Sequence, residues 1–233
     1  MEKVPFLEMK DLKKVYKLGK EKVVALDGIN LTVQKGEILC ILGTSGSGKS
    51  TLMKLMNSML VPKMGRITLG YNIKIGYYDQ ENQNLDPRNS VLDELWNTYP
   101  TMTQTEIRNT LALFLFRGDD IEKSVSVLSG GERARLTLAK LILSKMNVLI
   151  LDEPTNHLDI QSREALESAL EQFDGTIIAV SHDRYFINRM ATRVVQMLYS
   201  WEEMEQNEYA PKVMSADEVE AVLYRYFAPT DQD

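Results

Sequence analysis

Residues 43–50 read Gly43-Thr44-Ser45-Gly46-Ser47-Gly48-Lys49-Ser50, between the apolar run Glu37–Leu42 and the helical pattern Lys49–Leu60. Few short sequences restrict a chain so strongly. The glycines let the backbone curl until successive N–H groups point inward, and the helix that follows turns the positive end of its dipole to the same spot. Such a cradle suits phosphate oxygens. Lys49 would then reach the outer phosphates of a nucleotide, the Ser50 hydroxyl would ligate Mg²⁺, and Thr51 continues the run. A plain Gly/Ser turn is the weaker alternative, since a chance match in a chain this long is expected about one time in a hundred.

A second apolar run, Val148–Leu151, ends in two carboxylates, Asp152 and Glu153. In a parallel sheet, ligands bind at the carboxyl ends of the strands. Asp152 is a candidate Mg²⁺ ligand, and Glu153 is a candidate to orient or deprotonate an attacking water. Thr176–Val180 is a third buried strand, and Gly131–Leu143 and Ile160–Gln172 carry helical periodicity. Buried strands alternating with helices predict an α/β fold on a parallel-sheet core. Residues 7–36 alternate more, with turn signals at Gly19, Asp27-Gly28 and Lys35-Gly36, and predict short antiparallel strands beside that core. Two amphipathic stretches, one opened by Ser90 with Asp93 and the other spanning Thr103–Phe116, predict a helical subdomain inserted at about residues 81–127.

Composition excludes several classes. Among 233 residues, 44% are apolar and 26% charged, as in ordinary globular chains. No apolar run reaches the roughly 18–20 residues of a membrane span. The first residues, MEKVPFLEMKDLKK, place charges where a secretion signal needs an apolar run, so a cytoplasmic protein is expected. Two histidines and one cysteine leave no Cys/His zinc site, and Cys40, inside EILCIL, reads as a small buried hydrophobe. The net charge of −6 is concentrated at one end: residues 201–233 hold nine acids and two bases, which leaves the preceding 200 residues near neutral. No basic stripe is present, so direct DNA binding is not expected. The chain divides into a body, 1–200, and an acidic tail, 201–233, mostly irregular until Ser215 and Glu218 predict a capped helix.

Further motifs carry a resemblance. Leu128-Ser129-Gly130-Gly131-Glu132 is similar to the signature sequence of ATP-binding cassette (ABC) proteins. Tyr16 resembles the family's adenine-stacking aromatic, Gln80 its Q-loop glutamine, Pro154–Asp159 its D-loop and His182 its switch histidine. The resemblance implies an α/β P-loop cassette with an antiparallel β subdomain and a helical insertion. It further implies Mg·ATP as ligand, with Gln80 sensing the Mg²⁺ and the water, and His182 contacting the γ-phosphate. Ser129 and the N–H groups of Gly130 and Gly131 would close on a nucleotide held by a second cassette, giving an ATP-dependent homodimer. Because Lys49, Gln80, Asp152, Glu153 and His182 are all in place, hydrolysis is expected, rather than an interaction module using ATP only as glue.

Two branches of the family are resembled. Residues 64–195 are similar to the second cassette of ABC-F proteins, which act on ribosomes, and residues 6–61 to the ATPase subunit of a bacterial exporter or lipoprotein-release system. The change near Asn57–Met64 suggests a mosaic, natural or constructed. ABC-F proteins carry two cassettes and a charged helical linker, and this chain shows one cassette and no linker. The leading expectation is therefore the nucleotide-binding subunit of a transporter, held at the inner face of a membrane by a permease, with the ribosome as the alternative partner.

Overall fold

The computed structural model describes residues 6–19, 21–43, 46–79, 84–156, 158–197 and 212–214. Strands β1 (Leu7–Leu18) and β2 (Glu21–Val33) pair antiparallel, then β3 (Ile38–Gly43) runs through the glycine loop into α1 (Lys49–Met56). β4 (Met64–Leu69) returns to pair with β1, completing a three-stranded sheet in the order β2-β1-β4. β5 (Ile75–Tyr78) leads to the helical insertion, α2 (Val91–Thr98) and α3 (Gln104–Leu113), and then to α4 (Gly130–Leu143). β6 (Val148–Asp152), α5 (Ile160–Glu171), β7 (Thr176–Val180), α6 (Arg184–Met190) and β8 (Arg193–Met197) follow. The larger sheet has the order β5-β6-β7-β3-β8, all parallel, with β9 (Lys212–Met214) antiparallel at its edge.

The central strands are apolar throughout because both of their faces are covered. Cys40, Leu42, Leu149, Leu151, Ile177 and Ala179 face the side packed by α2 to α6. Their alternates, Leu39, Ile41, Val148, Ile150, Ile178 and Val180, pack with α1 and the smaller sheet. Burial of Cys40 pushes its thiol up to about 12, as the small-hydrophobe reading requires.

Several boundaries differ from those the sequence predicts. α1 stops at Met56, short of Leu60, because Ser58 turns left-handed (φ 57°) and the N–H groups of Ser58 and Met59 bond back to the Leu55 and Lys54 carbonyls. α3 ends the same way, with Leu115 at φ 66° and Phe116 N–H on the Leu111 carbonyl, which returns Phe116 to the core. Asp27-Gly28 ends no strand. It lies within β2 at a shift of register against β1, so the two strands are long and bulged rather than short. The tail, expected to be mostly irregular up to Ser215, holds the short strand Lys212–Met214; the Ser215–Glu218 cap lies outside the described residues.

The insertion is pinned to α4 by a buried carboxylate. Glu94 of α2, 3% exposed, accepts from Lys140 of α4 at 2.6 Å and from Asn89 at 2.7 Å. The predicted Ser90 cap is present, its hydroxyl accepting the Asp93 N–H at 3.0 Å.

Candidate active site: a cleft at the carboxyl ends of three strands

β3, β6 and β7 end at one edge of the sheet, and there a cleft of about 390 Å³ opens. Val23, Val24 and Ala25 of β2 form one wall, Gly46 through Thr51 the floor, and Asp152, Glu153, Val180 and His182 the far side. Gly48 caps α1 at φ 87°, and a Cβ there would lie 2.4 Å from the Ala25 carbonyl oxygen. Only glycine satisfies both constraints. Gly43 is as confined, with a would-be Cβ 2.6 Å from the Met197 carbonyl.

Lys49 is 9% exposed, and its ammonium donates to the Gly43 carbonyl and, at 3.5 Å, to Ser47 Oγ. Burial pulls its pKa down, while the charges of Glu153 and Asp152 oppose that shift. Asp152 is raised by burial and then by Asp79, with Lys54, Lys49 and a hydrogen bond from Tyr77 acting the other way. The amine and the two carboxyls thus face one another in a poorly hydrated pocket.

Glu153 leaves β6 with φ at 47°, its N–H bonded to the Val180 carbonyl at 2.9 Å. Its carboxyl meets His182 twice: Oε2 accepts the His182 backbone N–H at 3.2 Å, and Oε1 lies 3.2 Å from Nε2. Burial pushes the carboxyl up to about 7, the His182 N–H opposing and the charge of Asp152 adding. Burial, aided by the charge of Lys49, lowers the His182 imidazole. Both shifts favour the neutral forms and so work against a full ion pair at this contact.

Lys49, Ser50, Thr51, Asp152, Glu153 and His182, predicted from separate stretches, are brought together. Tyr16 stands beside them: its hydroxyl is 3.4 Å from Thr51 Oγ1, its register partner Val23 lines the cleft, and the Lys14 ammonium is 5.6 Å from its ring centroid. Ser129, Gly130 and Gly131 are elsewhere; they open α4 and do not line the cleft. Gly130 has open space where a side chain would be. Thr44, Ser45 and Gln80 lie outside the described residues.

Sequence reasoning missed the partner of Ser129. Glu132 accepts both the Ser129 N–H and its hydroxyl at 2.8 Å, while Ser129 Oγ accepts the Glu132 N–H at 3.3 Å. The Ser-x-x-Glu spacing signals that box. Asp79 and Lys54, which bear on Asp152, had no such signal, because only the fold brings them near.

The residues fit a nucleoside triphosphate and a divalent cation: two glycines at positive φ, a buried ammonium, and oxygen donors at Ser50 and Asp152 beside it.

The family model described as ABC transporter matches residues 26–156. YdiF of Bacillus subtilis is 54% identical over 172 residues, covering 74% of this chain and 27% of that protein. The energy-dependent translational throttle protein EttA of Escherichia coli is 36% identical over 231 residues, covering 94% of this chain and 41% of that protein. The chain thus spans about a quarter to two fifths of the length of these relatives. Among solved structures, the cassette MJ0796, a dimer in a post-hydrolysis state bound to ADP and Pi, superposes with a TM-score of 0.71 at 24% identity, covering 82% of this chain and 94% of that one. The family model runs through the glycine loop and past Glu153, more than half of the chain, and on that match this chain belongs to the ATP-binding cassette family.

Proposed function

We propose that this chain binds Mg·ATP in the cleft and hydrolyses it when a second cassette supplies Ser129, Gly130 and Gly131. The observation that carries the reading is the Glu153–His182 pair, joined at 3.2 Å beside the buried ammonium of Lys49. A carboxyl held up to about 7 is matched to accepting a proton from water at neutral pH. His182 keeps that carboxyl oriented through two contacts. Lys49, with the N–H groups of the glycine loop, would bind the phosphates, and Tyr16 would stack on the base. Ser50 and Asp152, with Gln80, would hold the Mg²⁺, whose chemistry is to neutralise charge on the phosphate oxygens.

A second cassette is invoked because Ser129 is exposed and does not line the cleft of its own chain. MJ0796, of the same fold, is dimeric. For the driven partner, the name of EttA and its match along 94% of this chain favour the translation machinery. A permease remains the second reading, favoured by the exporter-like residues 6–61 and by the family model's description. A cytoplasmic location follows from either, and no helix among the described residues is long and apolar enough to cross a membrane.

The test is Glu153→Gln. ATP binding should persist, turnover should fall by about 10²–10⁴ as loss of a general base predicts, and the protein should elute as a dimer with ATP but not with ADP. Unchanged hydrolysis would refute the role of Glu153. Salt-dependent sedimentation of the trapped protein with ribosomes, or co-purification of a membrane protein, decides the partner.

A further inference from the structure

Glu153 and His182 lie at the ends of two different strands, and each is followed by a segment that opens a helix. One side chain touches both segments. Arg163, in the first turn of α5, donates from Nε to the Leu158 carbonyl at 3.2 Å and from Nη1 to Asp183 Oδ2 at 3.1 Å. The other oxygen of Asp183 caps α6, accepting the N–H groups of Tyr185 at 3.0 Å and Phe186 at 3.2 Å. The Asp183 N–H is fixed in turn to Ser181 Oγ at 3.1 Å, and Ser181 is fully buried. His182 sits between these two anchored residues.

The contact is not what holds α5 to α6. Arg189 already fastens them, reaching Glu167 at 2.8 Å and Glu171 at 3.0 Å, with Glu167 1% exposed. What Arg163 adds is a tie between the segment after Glu153, residues 154–159, and the residue that follows His182.

We propose that Arg163 is a positioning residue for hydrolysis, seating His182 against Glu153 through Asp183 and making that seat depend on the 154–159 segment. The proposal rests on the ATPase reading above and deepens it. A displacement of 154–159 when a second cassette docks would pass through one guanidinium to the histidine. The charged groups around His182 are Glu153 in contact, Lys49 across the cleft, Asp183 next in sequence and Arg163 beyond it.

The experiment compares Arg163→Ala, Asp183→Asn, their combination and Arg163→Lys in the full chain. Asn retains the cap of α6 while removing the charge that Arg163 binds. Arg163→Ala and Asp183→Asn should each lower kcat about tenfold and leave KM for ATP within about twofold. The double variant should be no worse than either, and Arg163→Lys should recover part of the loss.

A second readout needs no hydrolysis. The chain has two histidines, so the imidazole titration of His182 can be followed by NMR once a His182→Gln variant has assigned its signal. By charge alone, losing Arg163 would move that titration up and losing the charge of Asp183 would move it down. Loss of the seat relieves burial, the larger cause of the depressed value, and moves it upward in both. Shifts of opposite sign, or an unmoved titration with unchanged kcat, would overturn the proposal. A parent chain that fails to hydrolyse ATP counts against the ATPase reading, and the imidazole titrations still decide the positioning.

Discussion

Glu153 holds a backbone conformation that glycine or asparagine adopts more cheaply, φ 47°, at the point where its carboxyl must meet His182. The local sequence, four apolar residues and then two acids, makes the carboxyl legible but not the turn or the raised pKa, since both depend on β7 lying alongside. From that pKa two outcomes follow. Turnover should climb as pH rises through about 7, because only the ionised form accepts a proton. The effect on stability has the opposite sense. A folded value above the ordinary 4.5 means that ionisation costs the fold stability, absent at low pH and complete once pH has passed about 7. Glu153→Gln removes that cost, so free of nucleotide it should be more stable than the parent above neutrality, by up to ~3 kcal/mol, and equal to it in acid. Urea midpoints at the two pH values measure it, and equal stability at alkaline pH would contradict the buried-carboxyl account.

Among the elements, the central strands were readable because they are apolar on both faces, which a run such as Val148–Leu151 declares without any partner. Helix ends were less readable. The reversals after α1 and α3 place Ser58 and Leu115 where glycine is the usual signal, so the apolar pattern seemed to run on. Asp27-Gly28 gave the opposite error, a turn signal spent on a bulge. These positions respond differently to substitution. Ser58 is exposed at φ 57°, so Ser58→Gly should raise stability by about 0.5–1 kcal/mol. Gly48→Ala adds a Cβ 2.4 Å from the Ala25 carbonyl at φ 87°, so β2 or the loop must shift. Nucleotide binding should then be lost even where the protein still folds, measured by fluorescent-nucleotide titration beside a urea melt.

For the whole molecule, the motifs were legible in order along the chain, but which of them meet in one chain was not. The fold gathers residues 46–51, 152–153 and 182 and leaves Ser129 to Gly131 outside the cleft, a separation no spacing in sequence reveals. The family model and the EttA match both cross Asn57–Met64, where the resemblance changes branch. That separation makes Ser129→Arg informative. The substitution loses a helix cap, at about 1 kcal/mol, and puts a long cation on the surface that a second cassette would bring to the phosphates. Ser129→Ala loses the same cap without the bulk. If the site is shared, Ser129→Arg should abolish turnover and ATP-dependent dimerisation while the single chain binds nucleotide as before. Ser129→Ala should show the same small drop in urea midpoint yet keep more of the activity than the arginine variant. Full activity in Ser129→Arg would mean that the cleft completes its chemistry without a second cassette's serine.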